Sequence, residues 1–372
     1  MPKLSVALLA KKLGADIIGD GNLAIERVVH PADATGDSDL VVAFDKALHP
    51  LLAGSRAKAV VLAVGQENLA ETFQACLLVK RPRYAMAELT ALFAHNQASS
   101  EGIHPSAVID PSAKIGAHVS IGPLCYIGPR AEIGDGTTFI SQVTIGADAK
   151  IGANCLFHAG ARIGDRVEVG DRCIIHYNSV IGSDGFSFVT PEAGSVETAK
   201  ASQGGTVQAF NTQIVRIHSL GAVVLGNDVE VGSCTAIDRG TLAHTRVGNG
   251  TKIDNQVQIG HNVVIGENCL ICGSVGLAGS VTVGDRVTLA ARSGAADHVK
   301  IGDDAILMAA SQLGGNLPSK AIYLGFPAAP REKYMEQIMH TARLKNAFQR
   351  ISDLEAKVNA FANGLEKNEK TV

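Results

Sequence analysis

The chain has 372 residues, 46% of them hydrophobic, which is enough for one large domain or roughly two or three smaller ones with their own cores. A formal charge of −3 with no dense Lys/Arg block leaves no electrostatic case for a nucleic-acid partner, while a phosphate-bearing small molecule stays open. Forty glycines, no tryptophan and 4% aromatic residues suit tight repeated turns better than a conventional layered core.

The apolar run in the opening MPKLSVALLAKKLG is too short to span a bilayer and is broken by Lys11 and Lys12. With no secretory cleavage pattern either, it predicts a cytoplasmic protein without a transmembrane segment. Residues 1–101 show no six-residue period. There SVALLAKKLGA and PRYAMAELTALFAH read as helices, and AKAVVLAV and ACLLVK as strands, predicting a small α/β domain.

From Ile103 a large apolar residue returns at every sixth position through Ile109, Ile115 and Ile121 to Ile181. A second register runs from Val247 through Ile253, Ile259 and Ile265 to Leu313, weakened only at Ala295. The residue two before each large one is small or β-branched, as at Ala113, Val119, Cys125 and Ala149. Strand side chains alternate faces, so both residues of such a pair point into one narrow prism. This predicts a mainly β chain whose residues 102–326 form a parallel β-helix. Three hexads make one triangular coil and coils stack about 4.8 Å apart, so residues 18 apart are vertical neighbours. The glycine that often follows the large residue is expected to serve the bends. Cys125, Cys155, Cys173 and Cys269 fall on the small inward position and read as packing residues, which argues against a redox role for the Cys269–Cys272 pair.

Two segments interrupt or follow the repeat. Residues 183–218, rich in Gly, Ser and Thr, are too long for a turn and read as a functional loop inserted in the prism. Residues 327–372 turn helical, with Leu344, Ile351, Val358 and Leu365 seven apart and Ala347, Leu354 and Phe361 three after the first three. That heptad pattern predicts a C-terminal α-helical extension that self-associates in a short bundle.

Of twelve histidines, His261 has the densest polar company, following Asp254, Asn255 and Gln256 on an otherwise apolar ribbon. Gly279 lies 18 residues on, so its N–H is expected one coil above the imidazole, where base and oxyanion donor together make an acyl-transfer site. His298, two coils and one residue beyond His261, is expected near the same edge. A metal centre would need a third close histidine, and neither His261 nor His298 has one nearby in sequence. His158 and His176, 18 apart, are expected to stack outward with no other ionisable group beside them.

The hexads, GSDGFSF, AIDRGT, KIDNQVQIGHNV and the N-terminal α/β region together resemble the UDP-3-O-(3-hydroxyacyl)glucosamine N-acyltransferase family of lipid A synthesis. The resemblance covers nearly the whole chain. It implies a left-handed β-helix, a homotrimer with active sites between subunits, and no bound cofactor. It also implies transfer of an (R)-3-hydroxyacyl chain from the phosphopantetheine of acyl carrier protein to the 2-amine of a UDP-glucosamine derivative. His261 matches the family's general base; Asp254 and Asn255 match positions near the substrate, with Gln256 beside them a further candidate contact, and His298 matches a second histidine assigned to substrate binding or transition-state support. Relatives grip uracil with F-x-x-[ND]-x-x-[YF], whereas this chain reads VVAFDKALHPLL, with Val42 and Leu48 at the aromatic positions. Asp45 would keep the polar contact, and Phe44 or His49 would supply a ring. Arg331, Lys333, Arg343 and Lys345 are candidate contacts for the acidic carrier. The competing readings are another sugar O-acyl- or N-acetyltransferase on the same prism, using acyl carrier protein or coenzyme A, and a non-catalytic β-helix scaffold.

Overall fold

The computed structural model describes residues 3–94, 102–202, 213–325 and 329–369. The chain divides into two compact units, Met1–Gln97 and Ala98–Val372. Residues 101, 326 and 327, at the expected boundaries, lie outside the described residues.

In the first unit, Ser5 caps the helix Val6–Leu13 by accepting the Leu8 N–H, and Gly14 ends it in the left-handed conformation. A five-stranded sheet runs in the order Asp16–Gly19, Ala75–Val79, Ala59–Ala63, Asp39–Val42, Arg27–Val29, parallel except for its first pair. The three middle strands are almost wholly buried, as expected for strands covered on both faces. Helices Val6–Leu13 and Pro82–Phe93 pack on one face through Leu9 and Leu89, while Leu52 and Ala70 help cover the other.

The second unit is built on a left-handed parallel β-helix of mostly two-residue strands in three parallel sheets. Ile121 pairs with Phe139 and Ile145 with Ile163, each 18 residues on, and the inward residues form one continuous core. Two features alter the count. The coil is interrupted between the strands Val180–Ser183 and Val223–Leu225, so Val169 pairs with Leu225 and Asp171 bonds a residue 56 positions on. The next coil is lengthened, with Ile237 pairing Ile259 and Ala222 bonding His244, 22 residues away. The interruption shifts the hexad phase by two residues and this four-residue lengthening completes the six, so the register from Val247 is again in phase with the first.

The glycines after the large residues do not serve the bends in the expected way. The left-handed corner is two residues later and is held by non-glycine residues such as Arg130, Asn154 and Asn262. The glycines allow coils to approach: a Cβ on Gly128 would stand 2.9 Å from the Gly146 carbonyl carbon. Beyond the prism, Arg331–Glu369 form one helix whose described side chains are all exposed; Phe361 and Leu365 of the heptad lie where side chains are outside the described residues. No described helix is long and apolar enough to cross a membrane.

Candidate active site

His261 sits at a prism corner just after the strand Gln258–Ile259. Lower in the same column of corners, an Asp carboxylate reaches back to the coil beneath, as Asp165 does to the Ala147 N–H at 2.8 Å. Above His261 that position is Gly279, which has no side chain, and the imidazole fills the space. A Cβ on Gly279 would lie 2.7 Å from His261 Cε1 and 2.8 Å from Nε2. The Gly279 N–H donates to no acceptor among the described residues. On the other side of the histidine, a Cβ on Gly185 from the inserted loop would lie 2.7 Å from His261 Cβ. The Gly185 N–H is held by Ser219 Oγ at 3.1 Å, so the inserted segment closes over the ring.

The tautomer of His261 follows from Asn262. Asn262 Oδ1 accepts the Thr241 N–H at 3.0 Å while its Nδ2 donates to the Ala243 carbonyl at 3.3 Å, which fixes the amide orientation. Oδ1 is then an acceptor 3.1 Å from His261 Nδ1, so Nδ1 carries the proton and Nε2 offers its lone pair beside Gly279. Sequence reasoning missed this orienting residue, although the dipeptide His261–Asn262 stands in plain view.

A cleft of about 560 Å³ opens at this point, lined by Asp184, Phe186, Phe188, Arg216, Asp238, Gln258, His261 and Gly279 among others. Asp238, from the AIDRGT stretch, was not singled out by the sequence. Its carboxylate accepts Ser183 Oγ at 2.7 Å and Gln258 Nε2 at 3.2 Å. Burial pushes its carboxyl above the ordinary carboxylate range, against the pull of those two hydrogen bonds and of His261.

Asp254, Asn255 and Gln256 do not share this cleft within one chain. Asp254 and Asn255 open on a second cleft with His176, Glu230, Lys252 and Cys272. The reason is geometric: one hexad is one face of the triangle, so a residue a hexad before His261 belongs to the preceding corner. Asn255 Oδ1 accepts the Ser233 N–H at 2.6 Å, and Gln256 holds the left-handed corner beside it. His298 is an exposed corner residue whose N–H donates to the Gly279 carbonyl at 3.1 Å, one coil above the glycine.

His158 and His176 stack with centroids 4.8 Å apart, but the expectation that they stand alone is corrected. Glu230 Oε1 lies 2.9 Å from His176 Nε2, brought there by the insertion from 54 residues away. Tyr177 covers His158 at 4.6 Å and leaves it buried; burial, then the neighbouring His176, lowers its pKa. Cys125, Cys155, Cys173 and Cys269 are buried in the prism, and burial pushes the Cys269 and Cys272 thiols up, away from the reactive thiolate.

In the first unit Val42 is a buried core residue at the end of its strand, and Leu48 packs against the second core cluster. Phe44 is half-buried against the first cluster. Asp45 caps a short turn by accepting the Ala47 N–H at 2.9 Å, and His49 has a buried Nε2 with no partner among the described residues.

Comparison with known proteins places these features in context. A model described as bacterial transferase hexapeptide (six repeats) matches residues 244–279, and one described as the GMPPB C-terminal domain matches residues 102–187. A UDP-3-O-acylglucosamine N-acyltransferase from Ruegeria pomeroyi is 43% identical over 272 residues, covering 73% of this chain and 75% of its own length. One of the same description from Delftia acidovorans is 33% identical and covers 94% of both chains. Among solved structures, an Arabidopsis UDP-N-acetylglucosamine acyltransferase aligns with a TM-score of 0.52 at 24% identity, over 60% of this chain and 71% of that one.

Proposed function

This chain belongs to the UDP-3-O-acylglucosamine N-acyltransferases, acyltransferases of lipid A synthesis, and from that premise we propose that it carries an (R)-3-hydroxyacyl chain from acyl carrier protein to the 2-amine of UDP-3-O-(3-hydroxyacyl)glucosamine. The observation that carries this reading is the His261 imidazole lying against Gly279, its Nδ1 hydrogen directed at Asn262.

In the proposed reaction the neutral Nε2 takes a proton from the acceptor nitrogen as that nitrogen attacks the thioester carbonyl. The oxyanion that forms accepts the Gly279 N–H. Collapse of the tetrahedral intermediate breaks the carbon–sulfur bond, and the imidazolium returns its proton to the departing phosphopantetheine thiolate. No covalent enzyme intermediate and no bound cofactor are required. Asp254, Asn255 and His298 are assigned to substrate contact, and Phe44, Asp45 and His49 to the uracil end.

Because Asp254 and His261 open on different clefts of one chain, the reading calls for a homotrimer in which one subunit's Asp254 face meets another's His261 face. The test is turnover of purified protein with 3-hydroxyacyl carrier protein and the 3-O-acylated UDP-glucosamine, set against UDP-N-acetylglucosamine with acetyl coenzyme A. The expected product is the amide of the first pair alone; an ester or an acetylated product would replace the reading. His261→Ala should remain folded yet turn over at least about a hundredfold more slowly. Near-normal turnover would remove His261 as the base.

A further inference from the structure

We infer that Asp238 recognises the acceptor as an ammonium ion and so makes the cleft select an amine over a hydroxyl nucleophile. The inference rests on the amide-forming reading above.

Elsewhere on the prism, some carboxylates have cationic partners, as where Lys114 meets Glu132, Arg130 meets Asp148, Arg172 meets Asp228 and Arg286 meets Asp304, and others, such as Asp135, Asp165 and Asp171, accept a backbone N–H. Asp238 has neither kind of partner among the described residues. It is half-buried in the His261 cleft, both its hydrogen-bond donors are neutral, and no Lys or Arg among the described residues pairs with it. The cations near it are already engaged. Arg239 donates to the Gly182 carbonyl at 2.8 Å and stands 4.0 Å from Asp184, while Arg216 lies over the Phe188 ring at 4.6 Å. Asp184, also in the cleft, adds a second negative charge. Withdrawing a carboxylate from water without a counter-ion is costly, and a cationic ligand group in the cleft offsets that cost.

The position fits the chemistry. Ile237 pairs with Ile259, so Asp238 lies one coil, about 4.8 Å, below Gly260, the residue before His261. A sugar ammonium held by Asp238 is therefore brought into the cleft of His261, where it gives up one proton to solvent; the neutral amine then attacks as Nε2 takes the second proton, which passes to the departing thiolate. Because a carboxylate favours the protonated amine, its contribution is to capture of the acceptor and falls on KM rather than kcat. A hydroxyl acceptor brings no charge and gains nothing from this arrangement.

The experiment uses the full chain carrying Asp238→Asn, with thermal melts to confirm folding. KM for the amine acceptor at pH 6.5 should rise at least about tenfold, the scale of one charge-assisted hydrogen bond, and should rise much less at pH 8.5, where more of the amine is neutral. Donor-free calorimetry with the acceptor and its 2-hydroxy analogue supplies a second readout. The unsubstituted protein should prefer the amine at least about tenfold, Asp238→Asn should lose the preference, and Ser183→Ala, which keeps the charge, should retain it. An unchanged preference in Asp238→Asn, or a pH-independent loss confined to kcat, overturns the inference. If the unsubstituted protein forms no amide at all, the reaction assignment fails, while the calorimetric comparison still decides the role of Asp238.

Discussion

Gly279 is constrained by the histidine beneath it rather than by its own backbone, which is not in the left-handed region. A methyl group there would meet Cε1 at 2.7 Å and Nε2 at 2.8 Å, closer than carbon and nitrogen tolerate, so the imidazole has to turn away from Asn262. Gly279→Ala is therefore expected to lower kcat by at least about a hundredfold, from a displaced base and a blocked oxyanion site, with a small shift in Tm. Steady-state kinetics beside a thermal melt checks both halves, and normal turnover would show that the ring need not lie on the glycine. The contact of His261 with Gly279 was legible in the sequence, because an 18-residue step in an unbroken register lands one coil higher. Asn262 and Asp238 were not. Thr241 and Ala243, which orient Asn262, belong to the lengthened coil, and Ser183, which holds Asp238, begins the insertion. Periodicity places residues only where it is unbroken.

Elements outside the prism are tied down by individual buried polar groups. In the first unit the strand Asp39–Val42 begins with a carboxylate that accepts Arg27 Nε and Nη2, each at 2.8 Å, the Thr35 N–H at 2.8 Å and the Gly36 N–H at 3.1 Å. Burial pushes the Asp39 carboxyl up, and the Thr35, Arg27 and Gly36 donors outweigh it, holding it below the ordinary carboxylate range. A carboxyl lowered on folding contributes stability that is present above its unfolded value, near 3.9, and is lost as pH falls through the folded value. Asp39→Asn should accordingly cost about 2–3 kcal/mol at pH 7, since it leaves a guanidinium and buried N–H groups poorly matched. Urea unfolding at pH 7 and at about pH 2.5 tests this: the gap between the two proteins should narrow in acid. An equal gap at both values would mean that packing, rather than charge, is what the substitution removes. Two helices and the two strands Ala59–Ala63 and Ala75–Val79 were legible from their apolar runs, but the strands Asp16–Gly19, Arg27–Val29 and Asp39–Val42 were not, and the Asp39 cluster depends on contacts made by Arg27 across the sheet.

At the scale of the whole molecule, the helix Arg331–Glu369 does not stand on its own interactions. Its described side chains are exposed, including Leu344, Phe348, Ile351, Leu354 and Val358, and a lone helix in water draws little stability from propensity alone. The heptad spacing brings Leu344, Ile351 and Val358 to one stripe with Ala347 and Leu354, the seam that copies of such a helix bury against each other. Each large aliphatic side chain so buried contributes about 1.5–3 kcal/mol, so a few per chain suffice to hold an assembly at micromolar concentration. Replacing Ile351 and Leu354 together by Glu places unpaired charge in that seam. Light scattering should then show the mass falling from that of three chains toward one. Activity should fall with it on dilution, because Asp254 and His261 occupy separate clefts of a single chain and are brought together only in the proposed trimer. Retention of the trimer mass would transfer the assembly to the flat sheets of the prism. Loss of the trimer with undiminished turnover would instead mean that one chain holds a complete site, and the roles given to Asp254 and Asn255 would have to be withdrawn.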